Sequence, residues 1–116
     1  MVVSGKWVMH YDWNCTGKNY THSDIILNSD GTITGGGFGG QWVQVETMVL
    51  LRIDSPYNVT FTTIYSGNVA PDGNMMAGVM TNFNGKNGCW YATRVFGPGE
   101  LIARAPKFDV LGNETK

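Results

Sequence analysis

Apolar and polar positions alternate without interruption from Trp7 to Trp13. Trp7, Met9, Tyr11 and Trp13 share one parity, and Val8, His10 and Asp12 share the other. Period-two spacing predicts a half-buried β-strand over "KWVMHYDW". The same reading marks further strands at "THSDIILN", "TITGGGF", "QWVQVET", "MVLLRID", the long "VTFTTIYSGNVA", "MMAGVMTN" and "CWYATRV". Between them lie turns with a mechanism. Asp30-Gly31 and Asp72-Gly73 supply left-handed backbone, and Pro71 presets φ. "CTGKN", "SPYN" and "NGKNG" complete the set. No window of about 11 residues or more carries helical spacing.

Short strands recurring at roughly 10-residue intervals and joined by hairpin turns point to an up-and-down sheet. Eight twisted strands left open would expose two edges, and closure removes them. The expected fold is therefore all-β: an eight-stranded antiparallel up-and-down β-barrel over residues 4–96, forming a single domain. Residues 97–116 break the alternation and read as a tail or strap. A barrel of this size has room for packed side chains or one small ligand.

Composition narrows the partners. Net charge is −1 with only 15% charged residues, and the basic residues are scattered, so nothing favours nucleic acid. No apolar run approaches the roughly 20 residues of a membrane-spanning helix. "MVVSGKW" has neither the charged start nor the apolar run of a signal peptide. The 16 glycines fit many tight turns. "GGGFGG" lacks the Lys-Ser/Thr of a phosphate loop and reads as a hairpin rim. The Asn-x-Thr triplets at Asn14, Asn19, Asn58 and Asn113 read mainly as polar β-composition.

The chemistry-bearing residues are few. In a closed barrel the exit of the first strand and the entry of the last share a rim, which brings Cys15 to Cys89. They form either a disulfide or two free buried thiols, and a bridge implies a periplasmic or secreted protein rather than a cytoplasmic one. Setting Cys15 opposite Cys89 places Asp12 one diagonal step from Arg94, a cross-strand ion pair. Two cysteines without close spacing and two histidines, His10 and His22, make no metal site, and no cofactor is expected. No motif couples two acids, so an enzyme is not the leading expectation. Met9, Tyr11, Trp13, Phe61, Thr63, Tyr65, Met76, Met80 and Tyr91 are expected to line the barrel as core or as a ligand pocket.

"SGKW" (4–7) and "CWYATRV" (89–95), with "TTIYSGNV" (62–69) more weakly, resemble the first, last and an inner strand of calycin barrels, the group of lipocalins, fatty-acid-binding proteins and avidins. The chain is also similar to small bacterial proteins with a "DWxC…GCW" pattern. The resemblance implies a last-strand arginine over a first-strand tryptophan, here Arg94 over Trp7. Avidin's biotin residues have no match at Met9, at Gly36-Gly37-Phe38 or after Arg94-Val95, which excludes biotin. The leading functional expectation is non-catalytic binding of a small, mostly apolar ligand in the open end. The alternative is a filled barrel acting as a structural or interaction module, with Met75, Ala77 and Val79 as a homo-oligomer surface.

Overall fold

The computed structural model describes residues 2–18, 20–35 and 37–96. Its strands are β1 (Gly5–Trp13), β2 (Thr21–Leu27), β3 (Thr32–Gly35), β4 (Phe38–Val45), β5 (Met48–Asp54), β6 (Thr63–Val69), β7 (Met75–Asn82) and β8 (Asn87–Arg94). Each pairs antiparallel with the next, and β8 returns to β1, closing an eight-stranded up-and-down barrel. The tail expected over 97–116 lies outside the described residues.

Alternation sets the core. Trp7 and Met9 of β1, Ile25 and Leu27 of β2, Val49 and Leu51 of β5, Tyr65 and Val69 of β6, Met76 and Met80 of β7, and Trp90 and Ala92 of β8 point inward as one buried cluster. Tyr11, Trp13, Phe38, Trp42 and Ile53 pack against it, half-buried.

The β6–β7 seam is unusually tight. Gly67 sits opposite Gly78, and a Cβ on Gly78 would run into the Ser66 carbonyl while one on Gly67 would run into that of Ala77. Absence of side chains here lets the strands close up. Trp90 covers the seam from inside, its indole N–H donating to Val79 O (3.0 Å) and Ser66 O (3.2 Å). The Tyr65 ring meets Trp90 edge-on at 5.7 Å.

Several sequence expectations are corrected. Asp12, not Cys15, lies opposite Cys89, and Trp7 lies opposite Arg94. This odd shift in register exchanges the faces of β8 relative to β1. Asp12 and Arg94 therefore occupy opposite faces and form no ion pair. Cys15 has left the strand: Asn14 (φ 68°) and Cys15 (φ 52°) turn the chain back, and Cys15 N–H donates to Asp12 O at 3.2 Å. The turn still delivers the Cys15–Cys89 disulfide, with a Cα–Cα distance of 5.1 Å and a sequence separation of 74. Closing a loop that long is worth on the order of 4 kcal/mol in the chain-entropy account.

The expected sixth strand is shorter than its β-branched run. Val59–Phe61 forms a 3-10 turn because the Asn58 side chain accepts from Thr60 N–H (3.0 Å), capping it. Phe61 is consequently half-exposed on a loop and not in the barrel. Tyr91 belongs to the outer face of β8, opposite His10.

The glycine seam yields a prediction. Gly78→Ala should lower unfolding stability by about 2–4 kcal/mol, since the new Cβ must displace backbone. Chemical denaturation checks this, and Gly85→Ala, at a turn with open space around it, should cost about 1 kcal/mol from its positive φ alone.

Candidate functional site

The two ends of the barrel differ. At one end the chain start forms a plug: Val3 is fully buried, its carbonyl accepts from the Trp7 indole N–H (2.7 Å), and its N–H donates to Gln44 Oε1 (3.1 Å). Arg94 locks this plug. Its Nη1 donates to Ser4 O (2.8 Å), Nη2 to Val2 O (2.9 Å) and Nε to Gly73 O (3.1 Å). The guanidinium carbon lies 4.5 Å from the centre of the Trp7 ring, a cation–π stack. Burial pulls the Arg94 pKa downward, yet an arginine stays charged at any working pH. Three carbonyls and a ring face thus replace the carboxylate partner expected for it.

On the outer wall, Asp12 is buried beneath the turn that follows β1. Its carboxylate accepts from Thr16 Oγ1 (2.9 Å) and Gly17 N–H (2.7 Å). Together with the disulfide to Cys89, these bonds hold the turn against the outside of β8. His10 stacks on Tyr91 (4.5 Å between centroids), Tyr20 meets Tyr91 edge-on (5.2 Å), and His22 faces His10 at 6.0 Å. Burial, then repulsion from His22, lowers the His10 pKa.

At the other end Tyr11, Trp13, Phe38 and Ile53 are half-buried, and inner-face Thr63 and Tyr65 lie just below the rim. Thr63 Oγ1 donates to Phe61 O (3.0 Å), and the Tyr11 and Ser23 hydroxyls meet at 3.4 Å. Tyr65 is only 6% exposed, and its hydroxyl has no hydrogen-bond partner among the described residues. No fully enclosed side-chain polar atom is orphaned, so that hydroxyl must open toward solvent. Burial, and secondarily the Tyr11 phenol, pushes the Tyr65 pKa well above the usual phenol range, keeping it a neutral donor.

Of the expected pocket residues, the structure places Tyr11, Trp13, Thr63 and Tyr65 together at the Trp13 end of the barrel. It places Met9, Met76 and Met80 in the core, and Phe61 and Tyr91 outside the barrel. Phe38, Ile53 and Ser23 were missed by the sequence reading; the signal available for Phe38 was its position at the hairpin of the glycine run. Among the described residues no group of three or more His, Cys, Asp or Glu side chains could hold a metal. No acidic residue falls on an inward-facing strand position among them. No described helix is long and apolar enough to cross a membrane.

No family model matches the chain, and no curated protein matches it. Among solved structures it is similar to the endo-1,5-alpha-L-arabinanase of Thermotoga petrophila RKU-1, with 23% identity and a TM-score of 0.53. The match covers 80% of this chain and 21% of the arabinanase, so the chain spans about a fifth of that protein's length. This likeness concerns the fold. It also corrects the family expectation: the solved structure this chain is similar to is an arabinanase, and not a lipocalin, fatty-acid-binding protein or avidin. The Arg94–Trp7 stack stands as a feature of this barrel without assigning it to the calycins.

Two outcomes follow. Arg94→Met should cost about 2–4 kcal/mol in chemical denaturation, because three carbonyls lose a charged donor. His10 has a depressed folded pKa, so the unfolded chain binds more protons just below its usual value near 6.5. Stability should accordingly fall as pH drops through that window, and His10→Gln should flatten this part of the profile.

Proposed function

We propose that this barrel is a non-catalytic module holding a small, mostly apolar ligand in its open end. The observation that carries this reading is the Tyr65 hydroxyl. A phenol that is buried to 6% exposure ordinarily satisfies its O–H, and this one has no partner among the described residues beside the rings at the Trp13 end. Tyr11, Trp13 and Phe38 supply apolar walls, and the Tyr11–Ser23 hydroxyl pair supplies a second polar point. Ligand sites combine apolar lining with a few placed polar groups in this way. The matching ligand has an apolar body and one hydrogen-bonding atom directed at Tyr65.

Catalysis has less support. Among the described residues, Asp12, Asp30 and Asp72 serve turns by accepting from backbone N–H groups, and Asp54 forms an exposed ion pair with Arg52 at 2.9 Å. The arabinanase likeness brings no glycoside chemistry to this chain, and among the described residues no carboxylate pair lies on the inner face. The disulfide supports work in an oxidising compartment, periplasmic or extracellular.

The probe is 1-anilinonaphthalene-8-sulfonate, followed by its fluorescence. Tyr65→Phe should leave folding stability within about 0.5 kcal/mol, because no protein hydrogen bond is lost. It should weaken probe binding roughly fivefold, the worth of about 1 kcal/mol for one hydrogen bond. Trp13→Ala should weaken it further. Unchanged affinity in both variants would contradict the proposal.

A further inference from the structure

We infer that the β7–β8 hairpin carries a site of spontaneous covalent modification, deamidation of Asn84 through the backbone nitrogen of Gly85. The same dipeptide occurs twice in the stretch "FNGKNGCW", as Asn84-Gly85 and as Asn87-Gly88. The fold treats the two copies differently. Asn84 and Gly85 are exposed in the turn between β7 and β8, whereas Gly88 is buried inside β8.

The reaction needs a backbone N–H free to attack and a carboxamide free to be attacked. Asn82 Oδ1 accepts from Asn84 N–H (2.9 Å) and from Lys86 N–H (3.1 Å). The Gly85 N–H between them has no partner among the described residues, and neither has the Asn84 carboxamide. Gly85 takes a positive φ of 80°, and nothing lies within 4 Å of the place where a Cβ would stand. Glycine thus leaves the attacking nitrogen unshielded and its backbone free to rotate. Gly88 is held on both sides, by Trp13 of β1 and by Met80 of β7. A Cβ there would meet the Met80 side chain and the Asp12 carbonyl, and the Asn87 carbonyl accepts from Asn14 N–H (2.8 Å). Ring closure at Asn87 would have to swing that peptide out of two ladders at once.

The step balances with water alone. Gly85 N gives up its proton and attacks Asn84 Cγ. The N–Cγ bond forms, the Cγ–Nδ2 bond breaks, and ammonia leaves with the proton. The product is a cyclic succinimide. Water then opens the ring at either carbonyl, which leaves aspartate or isoaspartate, and nothing is oxidised or reduced. The hairpin acquires a carboxylate beside Lys86, in a turn whose residues 83–86 include no acid. One added negative charge takes the formal net charge from −1 to −2. The isoaspartate form also carries the turn through the side-chain carbon and lengthens its backbone.

Incubation of the folded, oxidised full chain in mildly alkaline buffer, read by mass spectrometry of tryptic peptides, tests this. Cleavage after Lys86 puts the two dipeptides on separate peptides. Asn84 should gain about 1 Da as its amide becomes an acid, located by fragmentation. Asn87 should react at least about tenfold more slowly, because its ladders must open first. Gly85→Ala, shown folded by circular dichroism, should slow Asn84 roughly tenfold by crowding the attacking nitrogen. In denaturant with the disulfide reduced, the two sites should react at similar rates. An Asn84 that stays intact in the folded chain overturns the inference, as do equal rates at the two sites there. A folded Gly85→Ala that reacts as fast as the wild type overturns it too, and so does a rate difference that survives denaturation.

Discussion

The contact on which the rest of this barrel depends is the Arg94 guanidinium against the Trp7 indole. A closed up-and-down barrel must bring its last strand back to its first in one register, and a slip of one position turns every side chain to the wrong face. Arg94 reads that register chemically. Only when it lies opposite Trp7 can it stack on the ring and reach the carbonyls of Val2, Ser4 and Gly73 together. Those three oxygens come from the chain start and from the β6–β7 turn. One side chain therefore ties together the two termini of the barrel and the turn beside them, and presses Val3 into the end as a plug.

The opposite end is shaped by a constraint of another kind. The disulfide and the buried Asp12 carboxylate hold the turn after β1 on the outside wall of β8. The aromatic end of β1 then faces the barrel mouth, where Tyr11 and Trp13 are only half-buried. The glycine pair at Gly67 and Gly78 lies on the inner face, in register with Val49 and Trp90, and leaves room there for the Trp90 indole over the seam.

Much of this architecture was legible in the chain. The alternation from Trp7 to Trp13 and the Asp-Gly turns define strand count, order and closure without reference to long-range contacts. The closing register was not legible, because it was inferred by laying Cys15 on the line of β1. Positive φ at Asn14 and Cys15 takes the chain off that line, and neither residue type announces such a turn as Gly does. Glu46 (φ 55°) turns β4 into β5 for the same hidden reason. Phe61 was misplaced because β-branched neighbours outweighed the capping capacity of Asn58. Tyr91 was misplaced because the wrong register carried it to the wrong face. Tyr65 and Tyr11 occupy inner-face positions, but a hydroxyl with no partner among the described residues is a property of three-dimensional surroundings and leaves no pattern in sequence.

The barrel is closed at the Trp7–Arg94 end and leaves Trp13 half-buried at the other. Fluorine NMR of 5-fluorotryptophan-labelled protein with a neutral gadolinium chelate addresses it directly, since each of the 4 tryptophans gives its own resonance. The chelate should broaden Trp13 strongly and leave Trp7 and Trp90 sharp. Broadening of Trp7 to the extent seen for Trp13 would contradict it.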